Sequence, residues 1–276
     1  MKLNKTVILC DPVFSDPPHF GMWIFFPKMS FSKKLYNVDY IFISHQHLDH
    51  YDKGFLKKIS KNTKIIILPG RPHFELALKK EKINFQLLNV DVKSKLNKDV
   101  VYYGTLHEYN EIDSSIVFAN EKISVYHGND CYLSNKKLHL IHKAFPEITI
   151  ALIPFAYIHW YPFLLTDVDE VWKKTESLRL INKYLEIGIS QIKTLRPKYV
   201  IPFGANMFYF NAPDSEHNKS VVSLYDFIDY VKENNPLLNK KILPFFSGDI
   251  VYEDKLIKNN KFIKTTLYKS LDKYIN

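Results

Sequence analysis

The apolar run Val38-Asp39-Tyr40-Ile41-Phe42-Ile43-Ser44 passes straight into His45-Gln46-His47-Leu48-Asp49-His50, and no other stretch restricts the fold as strongly. The run is short and rich in β-branched and aromatic residues, which predicts a buried strand ending where the polar cluster begins. Side chains alternate along an extended segment, so His45 and His47 share a face, and a turn through Leu48 lets Asp49 and His50 point back into the same space. Imidazoles and a carboxylate at this spacing suit zinc, iron or manganese, and one six-residue segment holds enough donors to begin two metal sites. A solvated polar turn is the competing reading. Three histidines and an aspartate have no packing reason to gather beside a buried strand.

His-x-His-x-Asp-His after an apolar strand resembles the signature of the metallo-β-lactamase fold. Cys10-Asp11-Pro12, after Thr6 to Leu9, looks like the early strand of that fold with its Asp-Pro turn. Gly128-Asn129-Asp130-Cys131 resembles the segment that carries the bridging aspartate, and Leu195 to Pro202 the late helix-to-strand passage. Within the fold, the segments Val38 to His50, Asn129 to Cys131 and Tyr199 to Gly204 most resemble the metal-binding domain of CMP-N-acetylneuraminate hydroxylases. The lactonase and N-acylphosphatidylethanolamine phospholipase D branch is a more distant likeness. The resemblance covers about residues 6 to 252 and implies an α/β protein, a four-layer αββα sandwich.

At 276 residues the chain suits one large α/β domain or two small ones. No linker divides it, so we expect one metallo-β-lactamase-like domain over residues 1–255 and a basic tail over 256–276. The longest apolar runs fall well short of the roughly 20 residues that cross a bilayer, and the N-terminus leads into a strand rather than a signal sequence. This predicts a cytoplasmic protein. Cys10 and Cys131 are too few for a disulfide framework, in keeping with a reducing compartment. The net charge of +9 comes from lysines scattered over the surface stretches with few arginines, so no nucleic-acid partner is expected and a small anionic substrate is. The aromatic stretch Trp23-Ile24-Phe25-Phe26 reads first as core, with a loop over the pocket mouth or a membrane-touching lip as alternatives.

Periodicity predicts a short helix from Asp52 to Ile59, a strand at Lys64 to Leu68 and a helix from Phe74 to Lys80. Ser115 to Ala119 and Ile123 to His127 read as a hairpin, and Ile148 to Pro154 and Tyr199 to Pro202 as buried strands. Between them, Val168, Val171, Trp172, Leu178, Ile181, Leu185, Ile189 and Ile192 mark a long amphipathic helix from Thr166 to Leu195 with a break near Ser177 or Gly188. Ser223 to Lys232 reads as a further helix.

The expected ligands are His45 and His47 for one ion, and Asp49 and His50 for a second, with Asp130 bridging. By position, His107 resembles the family's third histidine at the first ion, and His127 competes with it. Many relatives place a histidine after the proline of the late strand, where this chain has Pro202-Phe203-Gly204, which leaves one or two divalent ions open. His159 or His217 could supply the missing donor. A bound ion acidifies its water to a pKa of about 7, which makes hydrolysis of an ester, lactone, amide or phosphodiester the default. Asp49, His159 and Asn206, with Tyr157, are the groups expected to act on substrate. The resemblance to the sialic-acid hydroxylases adds a diiron oxygenase as the alternative, needing a redox partner because two cysteines cannot hold a Rieske cluster. A non-catalytic binding protein is the third reading.

Overall fold

Tyr40 and Phe42 face one way and Ile41 and Ile43 the other, and this alternation sorts the protein into layers. The computed structural model describes residues 1–15, 21, 23–25, 31–110, 112–204, 207–209, 218, 221–252 and 255–257, with backbone alone at 23–25, 207–209, 255 and 256. The chain begins with β1 (Lys2–Leu3), β2 (Thr6–Cys10), β3 (Trp23–Phe25), β4 (Tyr40–Phe42), α1 (Lys53–Leu56), β5 (Lys64–Ile67), α2 (Pro72–Lys80), β6 (Phe85–Leu87) and β7 (Ser94–Lys95). It continues through β8 (Val101–Leu106), β9 (Ser114–Ala119), β10 (Ser124–His127), α3 (Asn135–Ala144), β11 (Ile150–Pro154), α4 (Glu170–Leu195) and β12 (Tyr199–Phe203). The last described elements are β13 (Met207–Tyr209), α5 (Leu224–Asn234), α6 (Pro236–Asn239), β14 (Ile250–Tyr252) and β15 (Lys255–Ile257).

One sheet has the order β1-β2-β4-β5-β6, parallel except at the β1 edge, and the other β12-β11-β10-β9-β8-β7, parallel from β12 to β10 and antiparallel beyond. Tyr40, Phe42, Ile66 and Leu68 from the first sheet meet Tyr102, Ile116 and Phe118 from the second in a shared core. Phe42 and Phe118 touch edge to face across it, with centroids 6.0 Å apart, a contact worth about 1 kcal/mol beyond its buried area. The opposite face of the first sheet, through Ile41, Ile43, Ile65 and Ile67, packs on α1 and α2. Val117, Tyr126, Ala151 and Ile153 of the second sheet pack on α3, α4 and α5. Helices therefore cover both outer faces, and the αββα layering is present. Strands covered on both sides read as continuous apolar runs, which makes them legible in the sequence.

Asp52 starts α1 by accepting from the Phe55 amide at 2.9 Å. α4 begins after Asp169, whose carboxylate accepts from the Trp172 amide at 2.9 Å, and it ends at Arg196 in the left-handed conformation. The expected break in this helix does not occur. Ser177 is buried within it, and Gly188 is the point of close approach: a Cβ there would lie 3.3 Å from Phe155 and from Phe227. Val171, Trp172 and Leu178, assigned above to its apolar face, are exposed. α3 had no sequence expectation, although Ser134 caps it and Leu138 and Ile141 bury one face. The expected boundary between residues 255 and 256 falls inside β15, which pairs with β14. Residues 258–276 of the expected tail lie outside the described residues, as do the side chains of the Trp23–Phe26 stretch. Among the described residues no helix is long and apolar enough to cross a membrane.

Candidate metal centre

The site lies where strand ends of the two sheets meet. On the first sheet, β2 and β4 run parallel and stop side by side, so Asp11 comes to rest against Ser44. Asp11 adopts φ 44°, a left-handed conformation uncommon outside glycine and often found at functional positions. Its carboxylate accepts from the Ser44 amide at 2.7 Å and the Ser44 hydroxyl at 2.6 Å, and it faces His50 Nδ1 at 3.1 Å. The His50 amide donates to the His47 carbonyl at 2.9 Å, closing the turn through Leu48 that folds His50 back beside His45. The two imidazoles lie 4.2 Å apart between centroids.

The second sheet supplies carboxylates. Asp113 immediately precedes β9. Asp130 follows the turn after β10, where Gly128 is required because a Cβ would meet Pro154 at 2.7 Å and the Leu152 carbonyl at 2.8 Å. Two clusters of potential ligands result: His45, His47 and Asp113, and His45, His50 and Asp130. In the first, His45 Nε2 lies 2.8 Å from His47 Nδ1 and 3.8 Å from Asp113 Oδ1. In the second, His50 Nε2 lies 3.1 Å from Asp130 Oδ2 and 3.7 Å from Asp49 Oδ2.

The donor chemistry fits a pair of cations. The Ser44 hydroxyl gives its proton to Asp11, so it accepts from His45 Nδ1 at 3.0 Å and leaves the Nε2 lone pair facing the cluster. Asp11 takes the Nδ1 proton of His50 in the same way, which leaves Nε2 as the ligating atom. Burial, aided by the His50 charge, lowers the His45 pKa to about 3, so His45 is neutral. Burial alone would lower His50 too, but Asp130 and Asp11 outweigh it and raise its pKa well above 6.5. Burial would raise the Asp130 carboxyl, yet the His50 charge and hydrogen bond hold it below its ordinary value. Asp113 shifts upward through burial and the nearby Asp130 charge, against the Asn110 hydrogen bond. Carboxylates crowded at a half-buried mouth need positive charge between them, and a divalent ion at each cluster would supply it.

His107 does not join either cluster. Its Nδ1 accepts from the Tyr109 and Asn110 amides at 3.1 and 3.2 Å, so a neutral ring carries its proton on Nε2 and keeps no lone pair for a metal. Asp113 stands in its place, with Asn110 Nδ2 donating to its Oδ2 at 2.6 Å and leaving Oδ1 toward the histidines. Sequence reasoning missed Asp113 because it belongs to no motif. The available signal was an acidic residue at the start of a fully buried strand. His127 is buried and joins neither cluster; its ring packs edge-on against Phe203 at 5.1 Å, and its Nδ1 has no partner among the described residues. Phe203 is thereby committed to His127, while a Cβ on Gly204 would lie 3.9 Å from Asp130 Oδ1. His159 is exposed, accepts from the Tyr161 amide at 3.0 Å, stacks with Tyr157 and joins neither cluster. Asn206 and His217 lie outside the described residues.

No family model matches the chain. A protein of Mycolicibacterium smegmatis named as a Rieske 2Fe-2S iron–sulfur protein is 26% identical over 169 residues, 57% of this chain and 32% of that protein. The cytidine monophosphate-N-acetylneuraminic acid hydroxylase of Xenopus laevis is 25% identical over 241 residues, 79% of this chain and 38% of that protein. The chain thus spans well under half the length of the curated relatives it matches. Among solved structures, Igni18, a metallo hydrolase of the archaeon Ignicoccus hospitalis, superposes with TM-score 0.61 at 16% identity, covering 93% of this chain and 91% of that one. CmlA, a diiron β-hydroxylase of Streptomyces venezuelae, superposes with TM-score 0.54 at 12% identity, covering 85% of this chain and 49% of that one. The architecture is the metallo-β-lactamase fold, and the likeness to the CMP-N-acetylneuraminate hydroxylases is present in the sequence.

Proposed function

We propose that this metallo-β-lactamase-fold chain is a dinuclear iron enzyme that oxidises a small anionic substrate with dioxygen. Asp113 carries the proposal. With His45 and His47 it makes a set of two histidines and one carboxylate, the donor set of non-haem iron oxygenases; some zinc hydrolases share it, and the likeness to a hydroxylase favours iron. A second ion would take Asp49 and His50, with Asp130, whose side chain is 40% exposed, beside His50 as the candidate bridge. The sequence likeness to a hydroxylase supports the same direction.

Bound iron supplies the electron transfer that activates dioxygen. The protein's own groups do the rest. Asp11 and Ser44 hold the Nε2 atoms of His45 and His50 toward the ions, and Asn110 fixes Asp113 so that one oxygen is presented. Asp130 keeps its charge beside His50 and would be the carboxylate available to both ions. The net charge of +9 draws an anionic substrate to the mouth. Inserting one oxygen atom into a C–H bond consumes dioxygen, two electrons and two protons and releases water. Half-buried Cys10 and buried Cys131 are too few to hold an iron–sulfur cluster within these 276 residues, so the electrons would come from a group outside them or from the substrate.

Hydrolysis by a metal-activated water is the second reading, favoured by the near full-length superposition on a metallo hydrolase. Metal analysis of protein purified without added metal, from cells supplied with both iron and zinc, separates the two. Two irons per chain and reductant-dependent oxygen uptake are expected. Bound zinc, with turnover of lactones or phosphodiesters and no oxygen uptake, would move the assignment to hydrolysis.

A further inference from the structure

Arg71 is buried, yet its guanidinium faces no carboxylate at hydrogen-bond distance among the described residues; its partners are main-chain carbonyls and one hydroxyl. Nη1 donates to the Ser44 carbonyl and, at 3.0 Å, to the Ile112 carbonyl. Nη2 donates to the Leu68 carbonyl at 3.1 Å and to the Ser114 hydroxyl at 3.5 Å. Ser114 Oγ in turn donates to the Ser44 carbonyl at 2.7 Å. Ser44 and Leu68 follow strands of the first sheet, while Ile112 and Ser114 flank Asp113 at the edge of the second. A single planar group therefore ties the peptide before His45 to the peptide before Asp113.

We propose that Arg71 is a positioning residue that sets the first metal position, by clamping the two sheets at the separation that brings Asp113 to His45 and His47. The inference rests on the metal-centre reading above. No secondary structure fixes that separation, because β4 and β9 belong to different sheets and the intersheet core beneath them is apolar and non-directional. A guanidinium suits this role because its donors diverge in one plane with fixed geometry, whereas an ammonium offers three donors from one atom. Burial lowers its pKa to about 10, with Asp11 and Asp113 opposing, so it remains a cation beside a carboxylate-rich mouth. In the second cluster, which shares His45, His50 is tied to Asp11 and Asp130, and none of the guanidinium's hydrogen bonds goes to His50 or Asp130.

The test is titration of metal-stripped protein with cobalt(II), followed by visible absorbance, with Asp113→Asn and Asp49→Asn giving reference spectra for loss of either position. Wild type is expected to take two ions. Arg71→Lys is expected to weaken one of them by about 10–100-fold, the scale for loss of an outer positioning partner. Its remaining spectrum should match Asp113→Asn. In Arg71→Ala, millimolar guanidinium is expected to restore the lost ion, which a general loss of stability would not allow. Both ions binding Arg71→Lys as in wild type, or both weakening equally, overturns the inference. If Arg71→Lys does not fold, Ser114→Ala decides: selective weakening of the first ion supports the clamp, and unchanged binding refutes it. Wild type that takes no ion removes the metal centre itself, whereas two bound zincs with hydrolytic turnover overturn the iron proposal and leave the clamp standing.

Discussion

The first-sheet half of the centre comes from one short segment, and the second-sheet half from two separate strand ends. His45, His47, Asp49 and His50 follow one strand, so their mutual geometry is local and a two-residue periodicity with one turn predicts it. Asp113 and Asp130 meet them only because the start of β9 and the end of the antiparallel β10 lie side by side in a different sheet. Local geometry sets which nitrogens are offered. Tertiary geometry sets which carboxylates answer them.

The strongest way to break this division is His45→Ala, because His45 belongs to both clusters and is fully buried. Metal affinity is expected to fall by more than about 100-fold at both positions, beyond the 10–100-fold typical of losing an outer partner. Circular dichroism should show the fold retained, since a typical substitution costs about 0.5–3 kcal/mol, less than the stability of an ordinary domain. Full metal content in this variant would mean that the motif is not the anchor.

Asp113 tests the other half. Asp113→Asn is expected to cost the first ion while sparing the second, reducing two ions to one by elemental analysis. Asp113→His restores three nitrogen donors and is expected to shift selectivity from iron toward zinc. If His107 were the ligand instead, both substitutions would leave stoichiometry unchanged and His107→Ala would lower it.

Proton linkage gives the two clusters opposite signatures. The His45 pKa is about 3 in the folded chain against 6.5 in the free side chain, so the unfolded chain binds more protons between these values and stability rises with pH there. The His50 pKa lies well above 6.5, so its contribution is fully present below 6.5 and is lost as pH rises through the higher folded value. An ion at the second cluster must displace the His50 proton, while His45 at the first is already neutral. Calorimetry in buffers of different ionisation enthalpy is expected to show about one proton released with the second ion and near zero with the first. Equal release from both would contradict the distinction.

The same contrast explains what is legible in the sequence. The central strands of both sheets and the motif are readable because strands buried on both faces leave continuous apolar runs and the ligands abut one of them, and the outer helices other than α3 show in their periodicity. Asp130 is placed by resemblance to a known segment. His107 stands outside the two clusters; sequence position says nothing about a lone pair, and here two backbone amides donate to its Nδ1. In the sequence Asp11 reads as a turn residue, although it orients ligands of both clusters, a role visible only once β2 and β4 lie side by side. A break in α4 is expected because Gly188 weakens a helix locally; packing against Phe155 and Phe227 overrides that preference.

The smallest expected effect concerns the late strand, where the resemblance leads one to expect a histidine and the chain has Phe203-Gly204. Direction decides which position could hold a donor. Phe203 packs on His127, so Phe203→His places its imidazole against that buried ring and is expected to add no metal affinity. Gly204 overlooks Asp130, and its φ of 79° is a region that aspartate and asparagine enter more readily than other side chains. Gly204→Asp is therefore expected to tighten the second ion by up to about tenfold, at a stability cost of about 1 kcal/mol for leaving glycine at positive φ. Metal titration of the two variants side by side checks the geometry. Tightening in Phe203→His but not in Gly204→Asp would show that the late strand approaches the second ion through the neighbouring residue.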